Sequence, residues 1–282
     1  MSGKSSTKMT CEGMVMDTNT TGARVTGRSL LTLATCCCCC TTAAKLCHTI
    51  ATPSAKTFHP THHDHPILLK GAATHWPAQT TWTASFLTTA LHHVNFPHGN
   101  LSTILNNPNK YLFSKIHPHT GQLITDPPNQ STFLPLQHVD QLLPLFNGWY
   151  SNARSQQMVH HFLLVGGLHS GLAFHNHQHG AWNGLILGQK EWYLFPPTID
   201  TLSIDPTGAF PTWWTDNTAV GRRRFVESIV PRLNNNITIC VQEKGDVLFV
   251  PNKWHHMVVN RGRINVGINA IHDTSRNVYS EL

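Results

Sequence analysis

The sequence predicts a mainly β fold with flanking helices, its C-terminal half an all-β sandwich or barrel. Three observations carry this. From residue 159 onward, short β-rich runs alternate with Gly, Pro and Asn. Helical patterning is confined to brief stretches before that point. The 282 residues are 40% hydrophobic, enough for a sizeable core, and show no internal repeat of solenoid length.

Residues 1–60 read as a low-complexity segment rich in Thr, Ser, Cys and Ala, with Glu12 and Asp17 its only acids. Arg24 and Arg28 precede the uncharged stretch "SLLTLATCCCCCTTAA". Basic residues before a moderately apolar run fit a signal or signal-anchor segment, and through it a membrane contact. The stretch is short and threonine-diluted for a spanning helix, so a transit peptide or a disordered tail fits as well. A cysteine run beside a membrane is also a candidate for acylation.

Residues 61–282 read as one domain with a core at about 159–272. Folding is expected to begin near His65. "HPILLKGAATHWPAQTTWTASFLTTAL" gives a strand from Ile67 to Lys70, a turn, and a helix from Thr83 to Leu91 with Thr83 as N-cap. Residues 97–131 read as a loop region with one strand over Tyr111–Ile116. "LPLQHVDQLLPLF" reads as a short helix broken at Pro144. The strand series then follows: "HHFLLVGG", "GLAFHNH", "AWNGLILG", "KEWYLFPP", "ITICVQEKGDVLFVPN", "HHMVVN" and "INVGINAI".

Charge is sparse: 12% of residues, a formal net charge of +6 and a pI near 9.0. That balance does not indicate nucleic acid. Arg222, Arg223 and Arg224 form the one dense cluster and read as a solvated loop rather than a phosphate patch. Seven of the eight cysteines precede residue 48, leaving Cys240 alone in the body of the chain. No internal disulfide is expected there. Sequons at Asn19, Asn100, Asn129 and Asn236 are what an Asn/Thr-rich chain makes by chance.

The stretch "HSGLAFHNHQHGAWNGLILGQKEWYLFPP" holds His175, His177 and His179 at alternating positions. With 21 histidines in the chain, and the same spacing at His63/His65 and His117/His119, an H-x-H alone means little. In a strand, however, residues i and i+2 share a face, so His175 and His177 can meet one ion. His179 shares their parity but sits at the expected strand end. A distant ligand is available in "GDVLFVPNKWHHMVVN", where a turn at Pro251–Lys253 precedes His256. Two ligands from one strand and one from a later strand make a facial site with open positions.

These residues carry a family resemblance. The segment from about 65 to 272 resembles a Jumonji-C (JmjC) domain, the Fe(II)- and 2-oxoglutarate-dependent oxygenase branch of the cupin-like double-stranded β-helix, or jelly roll. The motifs are "PILLKGAATHWPA…W" with Trp76, Pro77 and Trp82, "G-x-K-x-W-x-L-F-P-P" from Gly188 to Pro197, and "G-D-V-L-F-V-P-x-x-W-x-H-x-x-x-N" from Gly245 to Asn260. The resemblance implies His175 as the first metal ligand and His256 as the distal one, with His255 at a position usually aromatic. It implies that Lys190 pairs with the distal carboxylate of 2-oxoglutarate. Asn183, and with it Asn269 on the last strand, are implied to line the cosubstrate pocket.

One departure matters. The family's second ligand is Asp or Glu, and here it is His177. No acid occurs from 141 to 190. Leu172 stands where many members have Thr or Tyr. The site becomes three neutral imidazoles, a donor set suited to Fe(II) or another divalent metal. An ion held this way is one charge more positive. It attracts an anionic chelator more strongly and is harder to oxidise.

Blander roles compete at several positions. Lys190 can be an exposed strand lysine and Asn183 a satisfied core amide. Trp192, Tyr193, Leu194 and Phe195 alternate as a half-buried strand, so at least two are core. Trp213 and Trp214 read as a packed loop. Asp246 reads as a turn residue bonded to nearby backbone. Three functions follow. The first is an Fe(II)- and 2-oxoglutarate-dependent oxygenase that hydroxylates or demethylates a protein or peptide side chain. The second is a catalytically inactive JmjC-like scaffold. The third is a three-His metalloenzyme that needs no 2-oxoglutarate.

Overall fold

The computed structural model describes residues 45–51, 58, 64–92, 96, 99–116, 159–199, 216–233 and 237–272. The predicted helix around Pro144, the Trp213–Trp214 pair and the cysteine run at 36–40 lie outside the described residues.

Twelve strands are described: β1 (Lys45–Leu46), β2 (His48–Ile50), β3 (Ile67–Leu69), β4 (Tyr111–Ile116), β5 (Val159–Gly167), β6 (Gly171–His175), β7 (Ala181–Leu187), β8 (Gln189–Phe195), β9 (Thr238–Glu243), β10 (Val247–Val250), β11 (His255–Asn260) and β12 (Ile264–His272). They form a five-stranded sheet, β1-β9-β8-β11-β6, and a seven-stranded sheet, β2-β3-β10-β7-β12-β5-β4. Strands β5 to β12 are distributed over both sheets in antiparallel pairing, the pattern of a jelly roll. The predicted mainly β class is thus what the chain adopts.

Three apolar layers hold it. Between the sheets, Leu68, Leu248 and Val250 of the larger sheet meet Trp192, Leu194 and Val258 of the smaller. Outside the larger sheet, Trp182, Ile186, Phe249 and Ile268 pack against Trp76, Trp82, Leu87 and Leu91. The last two belong to helix α2 (Ala84–Leu91), which follows the short α1 (Ala78–Thr81). Thr83 caps α2, its hydroxyl accepting the Phe86 N–H at 3.1 Å. Outside the smaller sheet, Phe174, Tyr193, Phe195 and Met257 pack against Phe225 and Ile229. Strand β8 is therefore buried on both faces, and all of Trp192–Phe195 are core rather than half-buried.

Several expectations are corrected. Residues 45–50 fold, upstream of the predicted start: β1 runs parallel to β9 and β2 parallel to β3, so one segment borders both sheets. That segment brings Cys47 to Cys240, and the two form a disulfide. Cys240 has no partner in its own region but finds one from the N-terminal segment. The region predicted as loop contains helix α3 (Leu101–Asn106), too short to show periodicity; Asn100 caps it by accepting the Thr103 N–H at 2.9 Å. The Arg222–Arg224 cluster is not a solvated loop. It ends helix α4 (Ala219–Arg224), which continues as a π turn and a 3-10 turn to Arg232. Arg222 is only 1% exposed.

Candidate metal centre

The site lies between the sheets. His175 ends β6, and His256 stands opposite it on β11. From there to the Val258–Leu172 pair, two residues of β11 span three of β6. This β-bulge re-aims side chains, so that Leu172 and His175 line the same cavity although three residues separate them. His177 lies beyond the strand end, not within the strand as its parity had suggested. It is held instead by the turn before β11, where Lys253, in the left-handed region at φ 62°, donates its N–H to the His177 carbonyl at 2.8 Å.

One ligand nitrogen from each of His175, His177 and His256 lies within 4.8 Å of the others. Ring centroids are 4.2 Å apart for His175 and His256, 5.1 Å for His175 and His177, and 5.4 Å for His177 and His256. Nδ1 of His175 lies 2.8 Å from the Ala173 carbonyl, and Nδ1 of His256 lies 3.0 Å from the Trp254 carbonyl. A carbonyl only accepts, so each Nδ1 carries the proton and each Nε2 keeps its lone pair. Burial first, and neighbouring imidazoles with it, lower the basicity of all three rings; His177 falls to about 4. The rings are neutral near pH 7, the state a metal requires. This donor set fits a divalent ion. His255 turns to Asn176, with Nε2 and Nδ2 2.8 Å apart, and neither it nor His179 belongs to the group.

Beside the histidines, Lys190 is fully buried. Its ammonium donates to the Tyr111 hydroxyl at 3.2 Å and, at 3.5 Å, to Oδ1 of Asn183. Burial lowers its pKa to about 7 and pushes the Tyr111 hydroxyl up. Asn183 and Asn269 are directly opposed across β7 and β12, and both line the cavity. The Asn183 Nδ2 is buried without an acceptor. A buried ammonium with no carboxylate partner among the described residues, beside an orphaned amide, could hold an anion. Gly267 leaves it room: a Cβ there would stand 3.1 Å from the Lys190 Nζ. The open space beside the rings is only about 20 Å³, enough for a water. A five-carbon dianion would need lining side chains such as Phe113 and Leu172 to move aside.

Two contributors escaped the sequence reading. Tyr111 begins a strand that was predicted, but only the β4–β5 pairing brings it to Lys190. Gln242 ties the sheets together: its Oε1 accepts the Trp192 indole N–H at 2.9 Å, and its Nε2 donates to the Asn183 carbonyl at 2.7 Å. Trp192 itself lines the cavity, 6.0 Å from the His256 ring. Asp246 is the turn residue expected, accepting from the N–H groups of Gly71 and Glu243 at 2.9 Å and from Lys70 at 2.5 Å.

The family model of the cupin-like domain matches residues 123–277, over half of the chain, and includes the three histidines, Lys190, Asn183 and Asn269. The chain belongs to the cupin-like JmjC family. Among its JmjC relatives are an arginine-specific demethylase of Arabidopsis thaliana, 26% identical over 212 residues, covering 69% of this chain and 39% of that protein. A bifunctional arginine demethylase and lysyl-hydroxylase of Caenorhabditis briggsae is 27% identical over 224 residues, 70% of this chain and 53% of that one. A 2-oxoglutarate and iron-dependent oxygenase of Gallus gallus is 37% identical over 83 residues, 28% of this chain and 18% of the relative. The chain thus spans about half or less of the length of these JmjC proteins.

Proposed function

We propose that this JmjC domain is an Fe(II)- and 2-oxoglutarate-dependent oxygenase acting on a protein side chain, as a hydroxylase or demethylase. The observation that carries the proposal is the convergence of three neutral imidazoles beside a buried, carboxylate-free ammonium. His175, His177 and His256 would hold the metal on one face, leaving other positions open. Lys190, Tyr111 and Asn183 would bind the distal carboxylate of the cosubstrate, with Asn269 on the same wall. Trp192 and Leu172 would exclude water. Bound iron and 2-oxoglutarate supply oxygen activation, with succinate as co-product. The kinship with an arginine demethylase and a lysyl-hydroxylase supports a protein substrate.

His177 and Leu172 favour one second reading, a JmjC scaffold that retains metal without turnover. One experiment separates them. Fe(II) is titrated anaerobically into the protein with and without 2-oxoglutarate, and succinate is then measured in air. The oxygenase shows a visible charge-transfer band only with both ligands, loses it in His177→Ala, and makes succinate above a His256→Ala control. A scaffold makes none.

A further inference from the structure

At the other end of β11 from the histidines lies a second cleft, which the proposed chemistry does not use. Val259 pairs with Gly171 where His256 pairs with His175, so the cleft is three to four residues from the rings, roughly 10–13 Å along the strands. It is a cavity of about 90 Å³ floored by Val226 and Val259, and Arg222, Arg223, Arg261 and His169 line it with one carboxylate, Glu227. Arg222 is buried, and buried guanidiniums ordinarily meet a carboxylate. This one meets carbonyls: its terminal nitrogens donate to Asn217 at 2.6 Å, Pro108 at 2.5 Å and His169 at 3.0 Å. Its Nε–H is buried and has no acceptor. Arg261 pairs with Glu191, while Arg223 forms no ion pair among the described residues.

We propose that this cleft binds a tetrahedral oxyanion of the phosphate class, apart from the metal centre. The orphaned Arg222 Nε–H and the Arg223 fork, unpaired among the described residues, offer donors to the oxygens of such an ion, and the apolar floor strengthens the attraction by thinning the water around it. The volume admits a single oxyanion group and is far below that of a pocket for a larger organic ligand. Arg261 is offset by Glu191, which leaves Arg222 and Arg223 against Glu227 to set the sign.

The test is isothermal titration of the full chain with inorganic phosphate at constant ionic strength, with chloride for comparison. Phosphate is expected to bind, to weaken at least tenfold in Arg223→Ala, and to tighten several-fold in Glu227→Gln. Both substitutions fall on exposed positions that leave the Arg222 clasp intact. Binding must persist in His256→Ala; its loss there would assign the ion to the metal centre and overturn the proposal. So would phosphate no tighter than chloride, or indifference to Arg223→Ala. O-phosphoserine run in parallel separates the sources: tighter binding than phosphate identifies a phosphorylated side chain, and equal or weaker binding identifies the free ion.

Discussion

His175 and His256 face each other across the β6–β11 pair, and each ties its Nδ1 to the carbonyl two residues before it. Two rings with the same local bond present the same nitrogen inward. The protein thereby fixes tautomer and ring orientation before any ion arrives. Alanine at either position is expected to lower metal affinity about 100-fold or more. His255→Ala and His179→Ala should stay within about threefold, since neither ring belongs to the group. Competition against a chelating dye measures all four. Equal losses at His255 and His256 would contradict this ligand set.

Replacing the second imidazole by a carboxylate tests the electrostatics of the centre. In His177→Asp the ion loses one unit of net positive charge. A charge about 5 Å away in a partly screened site is worth about 3 kcal/mol, so 2-oxoglutarate should bind at least about tenfold more weakly to the metal-loaded variant. The iron should become easier to oxidise, and succinate formation should rise. A titration showing unchanged cosubstrate affinity would mean that the missing carboxylate does not govern anion binding here.

Lys190 predicts a proton-linked ligand. Burial lowers its pKa to about 7 from an ordinary value near 10.5. At pH 8 the ligand-free protein holds it mostly neutral, and a dianion in the cradle recharges it. Binding should therefore take up close to one proton at pH 8 and almost none at pH 6, and affinity should fall as pH rises above about 7. Calorimetry in two buffers of different ionisation enthalpy counts the proton, and Lys190→Met should abolish the uptake. The same shift fixes the sign for stability. Between about 7 and 10.5 the unfolded chain binds more protons than the ligand-free fold, so stability contributed by this group rises with pH in that window.

The Cys47–Cys240 bridge closes a loop with a sequence separation of 193 residues. A bridge over so long a loop contributes about 2–4 kcal/mol by constraining the unfolded chain. Cys47→Ser should lower Tm by roughly 4–15 °C for a domain of this size, and a reducing agent should do the same to the native protein but not to the variant. Scanning calorimetry with and without reductant checks it. A Tm indifferent to both would show that the bridge adds nothing to the stability of the fold.

The strands from 159 to 272 were legible because most are short apolar runs ended by Gly, Pro or Asn, and those signals are local. β1 and β2 were not, since two- and three-residue strands inside a threonine-rich segment carry no pattern. The histidines were legible from spacing and motif, but the reason His177 reaches the site was not. Parity pointed to a continued strand, whereas β6 ends at His175 and the Lys253 turn holds His177. Tyr111 and Gln242 stayed hidden because their roles come from strand pairing across the sheets. Arg222 looked like part of a charged surface run. A one-turn cap by Thr218 and three backbone carbonyls turn it inward.

Strands β6 and β11 are neighbours in the sheet but distant in the chain, and β7 to β10 lie between them in sequence. Such contacts form late and slowly, because long loops must close before they contribute. The half-site of β6 and the residues just after it offers two rings without a third. Iron would therefore find its full ligand set only once the sheet order is complete, and metal uptake during refolding would time the closure of the whole sandwich rather than any local event.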